Sequence, residues 1–185
     1  ITPVAITPET VIGGERPVLV AGPCVIESRD HCLRMAEAVA AAADRAGLPA
    51  VFKASFDKAN RTSHTSYRGP GLDAGLAVLE AARAASGLPV TTDVHEAGQV
   101  PAVRDAVDLI QVPAFLCRQT DLVVACARAG RATSIKKGQF LAPWDMAQVV
   151  DKYREAGGRD LVLMERGSSF GYNTLVSDLR SLPMM

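Results

Sequence analysis

The chain has 185 residues and a mass of 19.5 kDa, and its 20 Lys and Arg are balanced by 20 Asp and Glu. That length suits one domain with a real core. A composition of 48% hydrophobic and 22% charged residues is ordinary for a soluble globular chain; it excludes a disordered tail and a nucleic-acid partner drawn by net charge. No apolar run reaches the ~18 residues of a membrane span. The start, Ile1 to Thr10, lacks the basic-then-apolar layout of a secretory signal, so the expected compartment is the cytoplasm.

In chain order, the segment before Pro17, with Val4 to Ile6 and Gly13-Gly14, reads as a small hairpin. Pro17 to Cys24 reads as the first strand of the main body. Ser28 can cap the first helix, whose apolar residues Cys32, Met35, Val39 and Ala46 recur at helical spacing. Gly47-Leu48-Pro49-Ala50-Val51 then ends that helix and opens a second strand. Leu72, Leu76 and Leu79 line one face of the next helix, and Gly87-Leu88-Pro89-Val90-Thr91 repeats the helix-ending phrase before a third strand. Further strand-like runs span Asp108 to Phe115, Thr133 to Phe140 and Leu161 to Gly167. Thr120 can cap a helix carrying Leu122, Val123 and Cys126. Pro143 suits the first turn of another, and Gly157 its end. Most of the 29 alanines fall in these helices.

Short apolar strands between amphipathic helices argue for a parallel sheet covered on both faces. The strands start near 17, 49, 89, 108, 133 and 161, about 29 residues apart, as βα units do. Every strand also ends in reactive side chains: Cys24 and Glu27, Lys53 and Ser55, Asp93 and His95, Gln111, Lys136 and Lys137, Glu165 and Arg166. A doubly wound sheet would gather ligand groups at one switch point, and no Gly-x-Gly-x-x-Gly follows the first strand. Polar groups at the C-terminal end of every strand are the signature of a (β/α)₈ TIM barrel. Residues 1–185 are therefore expected to form a single barrel domain. Six units use up the chain, whereas eight plus the opening segment would need about 250 residues, so the last two strand–helix units are expected to be lacking.

The run Lys53-Ala54-Ser55-Phe56-Asp57-Lys58-Ala59-Asn60-Arg61-Thr62-Ser63 packs cations among hydroxyl and amide donors. With Lys136 and Arg166 it forms a basic pocket suited to a phosphate ester or carboxylate. A solvated surface run is the plainer alternative. It is less favoured, because Lys53, Lys136 and Arg166 sit at or just after strands. The Gly22-Pro23 turn can aim the Cys24 thiol inward, but the residues alone favour a small buried hydrophobe there. Cys32, Cys117 and Cys126 read as packing, with no disulfide pattern. His31 sits in a first helical turn and His64 in a polar loop. His95, after Asp93, serves either sugar hydroxyls or loop orientation. Met184 and Met185 read as packing.

Seven phrases in order carry a resemblance that covers nearly the whole chain. They are Ala21 to Asp30, Lys53 to Ser63, Ser66 to Leu72, Thr92 to Glu96, Gln111 to Leu122, Lys136 to Trp144 and Glu165 to Arg180. The chain resembles the 3-deoxy-D-manno-octulosonate-8-phosphate synthase family, transferases that condense phosphoenolpyruvate with D-arabinose 5-phosphate and water in lipopolysaccharide synthesis. The resemblance implies that Lys53, Ser55, Lys58, Gln111, Lys136, Arg166 and the Ala114 backbone hold phosphoenolpyruvate. It implies that Asn60, Arg61, Thr62 and Asp93 meet the sugar phosphate, joined by Arg118 from a neighbouring subunit, hence a homotetramer. Cys24 matches the metal-dependent class, which implies a divalent metal such as Zn²⁺, Fe²⁺ or Mn²⁺, its other ligands falling beyond Met185. The general acid and base are unassigned, with Lys58 and Asp93 as candidates. The alternatives are a heptulosonate-phosphate synthase using erythrose 4-phosphate, against which the Lys58 to Arg61 segment argues, and a non-catalytic phospho-ligand-binding barrel. No nucleic acid or membrane partner is expected.

Overall fold

A computed structural model describes residues 2–185. Its two long helices end as the repeated phrase dictates. α1 (Arg29–Ala46) stops at Gly47 with φ 64°, and α2 (Leu72–Ser86) stops at Gly87 with φ 70°. Only glycine takes that left-handed region freely, and the proline two residues later cannot continue a helix. The chain leaves each cap directly into a strand, β4 (Ala50–Lys53) and β5 (Val90–Asp93).

These strands join β3 (Leu19–Ala21), β6 (Leu109–Val112), β7 (Thr133–Lys136) and β8 (Leu161–Met164) in one six-stranded sheet. Its spatial order is the sequence order, and every neighbouring pair is parallel. A doubly wound sheet must reverse its strand order at a switch point. No reversal occurs here, so the fold is α/β, and the described residues hold five complete βα units of a TIM-type barrel and the strand of a sixth. The crossovers after β5, β6 and β7 carry α3 (Val100–Ala106), α4 (Thr120–Arg128) and α5 (Met146–Glu155).

Side chains alternate across the sheet with period two. Phe52, Val90, Ile110, Val112 and Ile135 face the helices and join their buried residues, among them Val39, Leu79, Val103, Val123 and Tyr153, in the main core. Lys53, Asp93, Gln111 and Lys136 occupy the other face and line a cleft at the strands' C-terminal ends. The bottom of that inner face is closed by the expected hairpin, β1 (Val4–Ala5) paired antiparallel with β2 (Val11–Ile12). Val4 packs there on Leu109 and Ala132, with Ile6, Ile12 and Val162 around them. A second hairpin, β9 (Ser168–Ser169) with β10 (Leu175–Val176), follows β8.

Several local expectations are corrected. The strands are shorter than the apolar runs, because the residues beyond them turn into loops toward the cleft. Thr120 does not cap α4; Gln119 stands at the cap without a side-chain bond, and the Thr120 hydroxyl instead accepts from Lys152 Nζ at 2.9 Å. Ala46 is exposed, while Ala36 and Ala43 join Cys32 and Val39 in the buried face of α1. Met184 is 53% exposed, whereas Met185 packs against the main core. α3, only seven residues long, is too short to show a sustained helical period and was not anticipated. All four cysteines are free. Among the described residues no helix is long and apolar enough to cross a membrane.

Gly75 shows how tightly α2 seats on the loop after β4. A methyl group there would overlap Cβ of Phe56 and reach within 3.1 Å of its Cα. Helix propensity alone would make Gly75→Ala stabilising by about 1 kcal/mol. An overlap this close falls in the upper part of the ~1–3 kcal/mol that overpacking costs, so after the propensity gain a net loss of about 1–2 kcal/mol in urea unfolding is expected. A raised unfolding midpoint would mean that α2 is free to shift.

Candidate functional site

The C-terminal ends of the strands enclose a cleft of about 480 Å³. β3 runs into Gly22, Pro23 and Cys24 on its rim; β4 contributes Lys53; β5, Asp93 and then His95; β6, Gln111; β7, Lys136 and then Gln139; and β8 leads to Arg166. Lys58 and Asn60 reach it from the long loop after β4, and Ala114 from a short helical turn begun by Pro113 after β6. A larger hollow of about 770 Å³ lies at the opposite end of the sheet. Its two arginines are taken up locally: Arg16 donates to the Gly47 carbonyl at 3.2 Å, and Arg83 lies 3.2 Å from Asp108. The cleft at the strand ends is therefore the candidate site.

Its electrostatic centre is Asp93. The Asp93 carboxylate lies 3.3 Å from Lys53 Nζ and 3.3 Å from His95 Nε2, and it accepts a hydrogen bond from the Ser55 hydroxyl. The same hydroxyl accepts from Lys53 Nζ at 2.5 Å. Burial pushes the Asp93 carboxyl up, but the His95 hydrogen bond, the Lys53 charge and the Ser55 hydrogen bond together outweigh it and hold it well below the usual carboxylate range. Burial lowers the Lys53 ammonium, with Asp93 opposing and Lys58 and Lys136 assisting. Burial also lowers Lys136, against Asp93 and with Lys58 and Arg166. Four cations thus share one space with a single lining carboxylate.

The loop that carries Lys58 is held from several sides. Arg68 grips Asp57 with two hydrogen bonds, one of 2.8 Å, and the Lys58 amide donates to the Arg68 carbonyl at 2.6 Å. The Tyr67 hydroxyl donates to the Ile26 carbonyl at 3.0 Å, which ties this loop to the one that carries Cys24.

Of the residues singled out in the sequence, the structure brings Cys24, Lys53, Lys58, Asn60, Asp93, Gln111, Ala114, Lys136 and Arg166 to the cleft wall. Ser55 is fully buried behind Lys53 and Asp93. Arg61 and Thr62 are exposed beyond the rim, with Arg61 Nε donating to the Tyr67 carbonyl at 3.1 Å. Arg118 is exposed and does not line this cleft. Cys24 is exposed rather than the buried hydrophobe that the residues alone favoured, while Cys32, Cys117 and Cys126 are buried as expected. Burial drives the Cys32 thiol up to about 11 and the Cys126 thiol to about 12, so both are inert.

Two wall residues carry polar atoms without protein partners, His95 Nδ1 and Gln139 Oε1. Gln139 carries no sequence signal beyond its place three residues past the end of a strand. His95 also packs edge-on against Phe56, with ring centroids 5.7 Å apart. Among the described residues no three His, Cys, Asp or Glu side chains converge as metal ligands. Cys24 stands as a single donor, and the residues present do not by themselves make a metal site.

Removing the central charge tests this network. Asp93→Asn leaves Lys53, with 15% of its side chain exposed, without a counter-ion. The expected loss is about 2–3 kcal/mol, less than the ~3–5 kcal/mol of a sealed pair because the cleft is open to water. The Asp93 contribution is full above the unfolded pKa and is lost as pH falls through the depressed folded value. The gap between wild type and variant in chemical unfolding should therefore narrow toward strongly acidic pH. A gap that persists unchanged there would show that charge is not its source.

A family model described as the DAHP synthetase I family matches residues 2–185. The chain is similar to proteins named 2-dehydro-3-deoxyphosphooctonate aldolase. It is 54% identical to one from Cyanothece sp. over 98% of its length, 58% to one from Synechococcus sp. over 90%, and 55% to one from Rhodopseudomonas palustris over 99%. It spans 67%, 59% and 64% of those proteins' own lengths.

Proposed function

Because the chain belongs to the DAHP synthetase I family, we propose that its cleft binds phosphoenolpyruvate and D-arabinose 5-phosphate for condensation to 3-deoxy-D-manno-octulosonate 8-phosphate. The observation that carries this reading is the convergence of Lys53, Lys58, Lys136 and Arg166 on one cleft with Asp93 as its only lining carboxylate. Such a space is costly to build unless anions fill it. The relatives' name supports the octulosonate product, and Lys58 and Asn60 on the cleft wall belong to the segment that favours arabinose 5-phosphate over erythrose 4-phosphate.

The enol carbon of phosphoenolpyruvate attacks the sugar aldehyde, forming the new C–C bond, and the aldehyde oxygen takes up a proton. Water adds to C2 and gives up a proton. The bond from C2 to the phosphate oxygen then breaks, phosphate leaves with the electron pair and takes up the C2 hydroxyl proton, and a ketone remains. Both substrates are anions and repel one another, so the protein's first task is to hold them together. Lys53, Lys136 and Arg166 supply that field, preorganised for the departing phosphate, and Arg166 offers a planar fork for two of its oxygens. The Gln111 amide and the Ala114 backbone fix orientation. Asp93 is too weak a base to abstract a proton efficiently and is ionised at neutral pH, so it does not act as the acid; it orients a sugar hydroxyl. Lys58, on the loop after β4, is the candidate donor to the aldehyde oxygen.

The same reading extends to three further features. The thiol of Cys24, exposed on the cleft rim, is available as one donor to a divalent ion in the whole enzyme. Arg118, exposed and outside the lining of its own cleft, is read as serving a neighbouring subunit of a homotetramer. The setting is the cytoplasm.

Arg166→Ala is expected to lower kcat/KM for phosphoenolpyruvate about 100-fold, roughly 2.7 kcal/mol of transition-state binding; a near-normal value would remove Arg166 from the site. The lowered Lys53 and Lys136 groups lose their protons as pH rises through values below that of an ordinary lysine. Phosphoenolpyruvate affinity should therefore begin to fall below the usual lysine range. Lys136→Arg, which stays charged, should carry that fall to higher pH. An alkaline limb that does not move in this variant would assign the titration elsewhere.

A further inference from the structure

Lys137 is fully buried and stands next to Lys136, yet it does not line the cleft. Strand alternation explains the split: Lys136 faces inward, so its neighbour points away. There the Lys137 ammonium donates to the carbonyls of Gly167 at 2.8 Å, Gly138 at 3.2 Å and Leu141 at 3.3 Å, and to the Ser168 hydroxyl at 3.3 Å. Glu165 Oε1 lies 3.8 Å away. Two of the four acceptors belong to the loop after β7 and two to the loop after β8.

Arg166 sits in the middle of this arrangement. The Glu165 carboxylate accepts from the Gly167 amide at 2.5 Å and from the Ser181 hydroxyl at 2.8 Å. Lys137 holds the Gly167 carbonyl, so the residues on both sides of Arg166 are pinned. The Ser169 amide also donates to the Gln139 carbonyl at 2.9 Å, a second tie between the loops that does not depend on Lys137. A buried ammonium with so many backbone acceptors is not a surface charge caught by chance, because burying it is tolerable only when its protons are all used.

We propose that Lys137 is a positioning residue. It ties the loop after β7 to the loop after β8 so that Lys136 and Arg166 close on the same anion. The inference rests on the reading of the cleft as a phosphoenolpyruvate site. Without Lys137, the Gly167 and Leu141 carbonyls lose this donor, whereas the Gly138 carbonyl keeps the Leu141 amide; the backbone around Arg166 relaxes, while Lys53 and Lys58, on the far side of the cleft, keep their places.

The test titrates phosphoenolpyruvate calorimetrically into the wild-type chain and into Lys137→Met, which keeps length and burial but loses the donors. Each protein is also treated, while folded, with a colorimetric thiol reagent. Cys24 is the exposed cysteine and the other three are buried, so a native fold yields one reactive thiol. Cys117 reports on this region, since its sulfur lies 3.2 Å from where a Gly138 Cβ would stand. A dissociation constant raised about tenfold, with the thiol count still one, supports the proposal. Unchanged affinity overturns it. Affinity lost together with newly reactive Cys117 also overturns it, because Lys137 would then be holding the fold rather than aiming its neighbours. A wild-type chain that does not bind phosphoenolpyruvate overturns the reading of the cleft and this inference with it. Should Lys137→Met fail to fold, Lys137→Leu, which also lacks donors, is judged by the same outcomes.

Discussion

The Asp93 carboxylate is the counter-charge on which the arrangement of the cleft turns. Lys53, Lys58, Lys136 and Arg166 line one space and repel one another, and two of them are lowered by burial and by this mutual repulsion. Asp93 opposes both shifts. It can do so because His95, Lys53 and Ser55 keep it ionised despite its burial. One carboxylate offsets part of the positive charge and leaves the remainder for ligands. A second carboxylate would cut further into the positive charge left for ligands, and none would leave the lysines free to shed their protons.

The parallel sheet is what makes such a concentration affordable. Each strand delivers one inward side chain to the same rim, so cations far apart in sequence meet without any of them being built into an apolar core. The helix-facing residues carry the burial that holds the fold together, and the hairpin under Leu109 closes the other end of the inner face. The two faces of each strand therefore do separate work. Lys136 and Lys137 show this at the smallest scale: consecutive residues of the same type, one directed at the cleft and the other sealed against backbone carbonyls.

The loops between strand and helix divide by how they are held. The long loop after β4 is fixed by the Arg68–Asp57 pair and by Tyr67 reaching to Ile26. Those after β7 and β8 are fixed to one another through Lys137 and Glu165. Two anchored groups of cations thus face each other across the cleft, one bearing Lys53 and Lys58, the other Lys136 and Arg166. That division suits a cleft that holds two anionic groups side by side.

Much of this was legible in the residues themselves. Gly-Leu-Pro phrases punctuated the helices, the spacing of apolar runs called for βα units, and a reactive residue at the end of every strand located the site. These signals are local, carried by backbone preference and by periods of two and 3.6, and they survive without knowledge of distant neighbours. The short α3 and the idle Thr120 hydroxyl were misjudged for the same reason, since too few residues were available for a period to show and the cap depended on Lys152 from another helix. Other matters only the tertiary structure decided. That Cys24 is exposed, that Ser55 lies behind the cleft, that Gln139 enters its wall, and that Lys137 rather than Lys136 is buried all depend on which chain segments pack alongside. Sequence specified the chemistry available at each strand end, and three-dimensional packing decided which of those groups share a space, because charge, burial and hydrogen bonding act through distance and not through position along the chain.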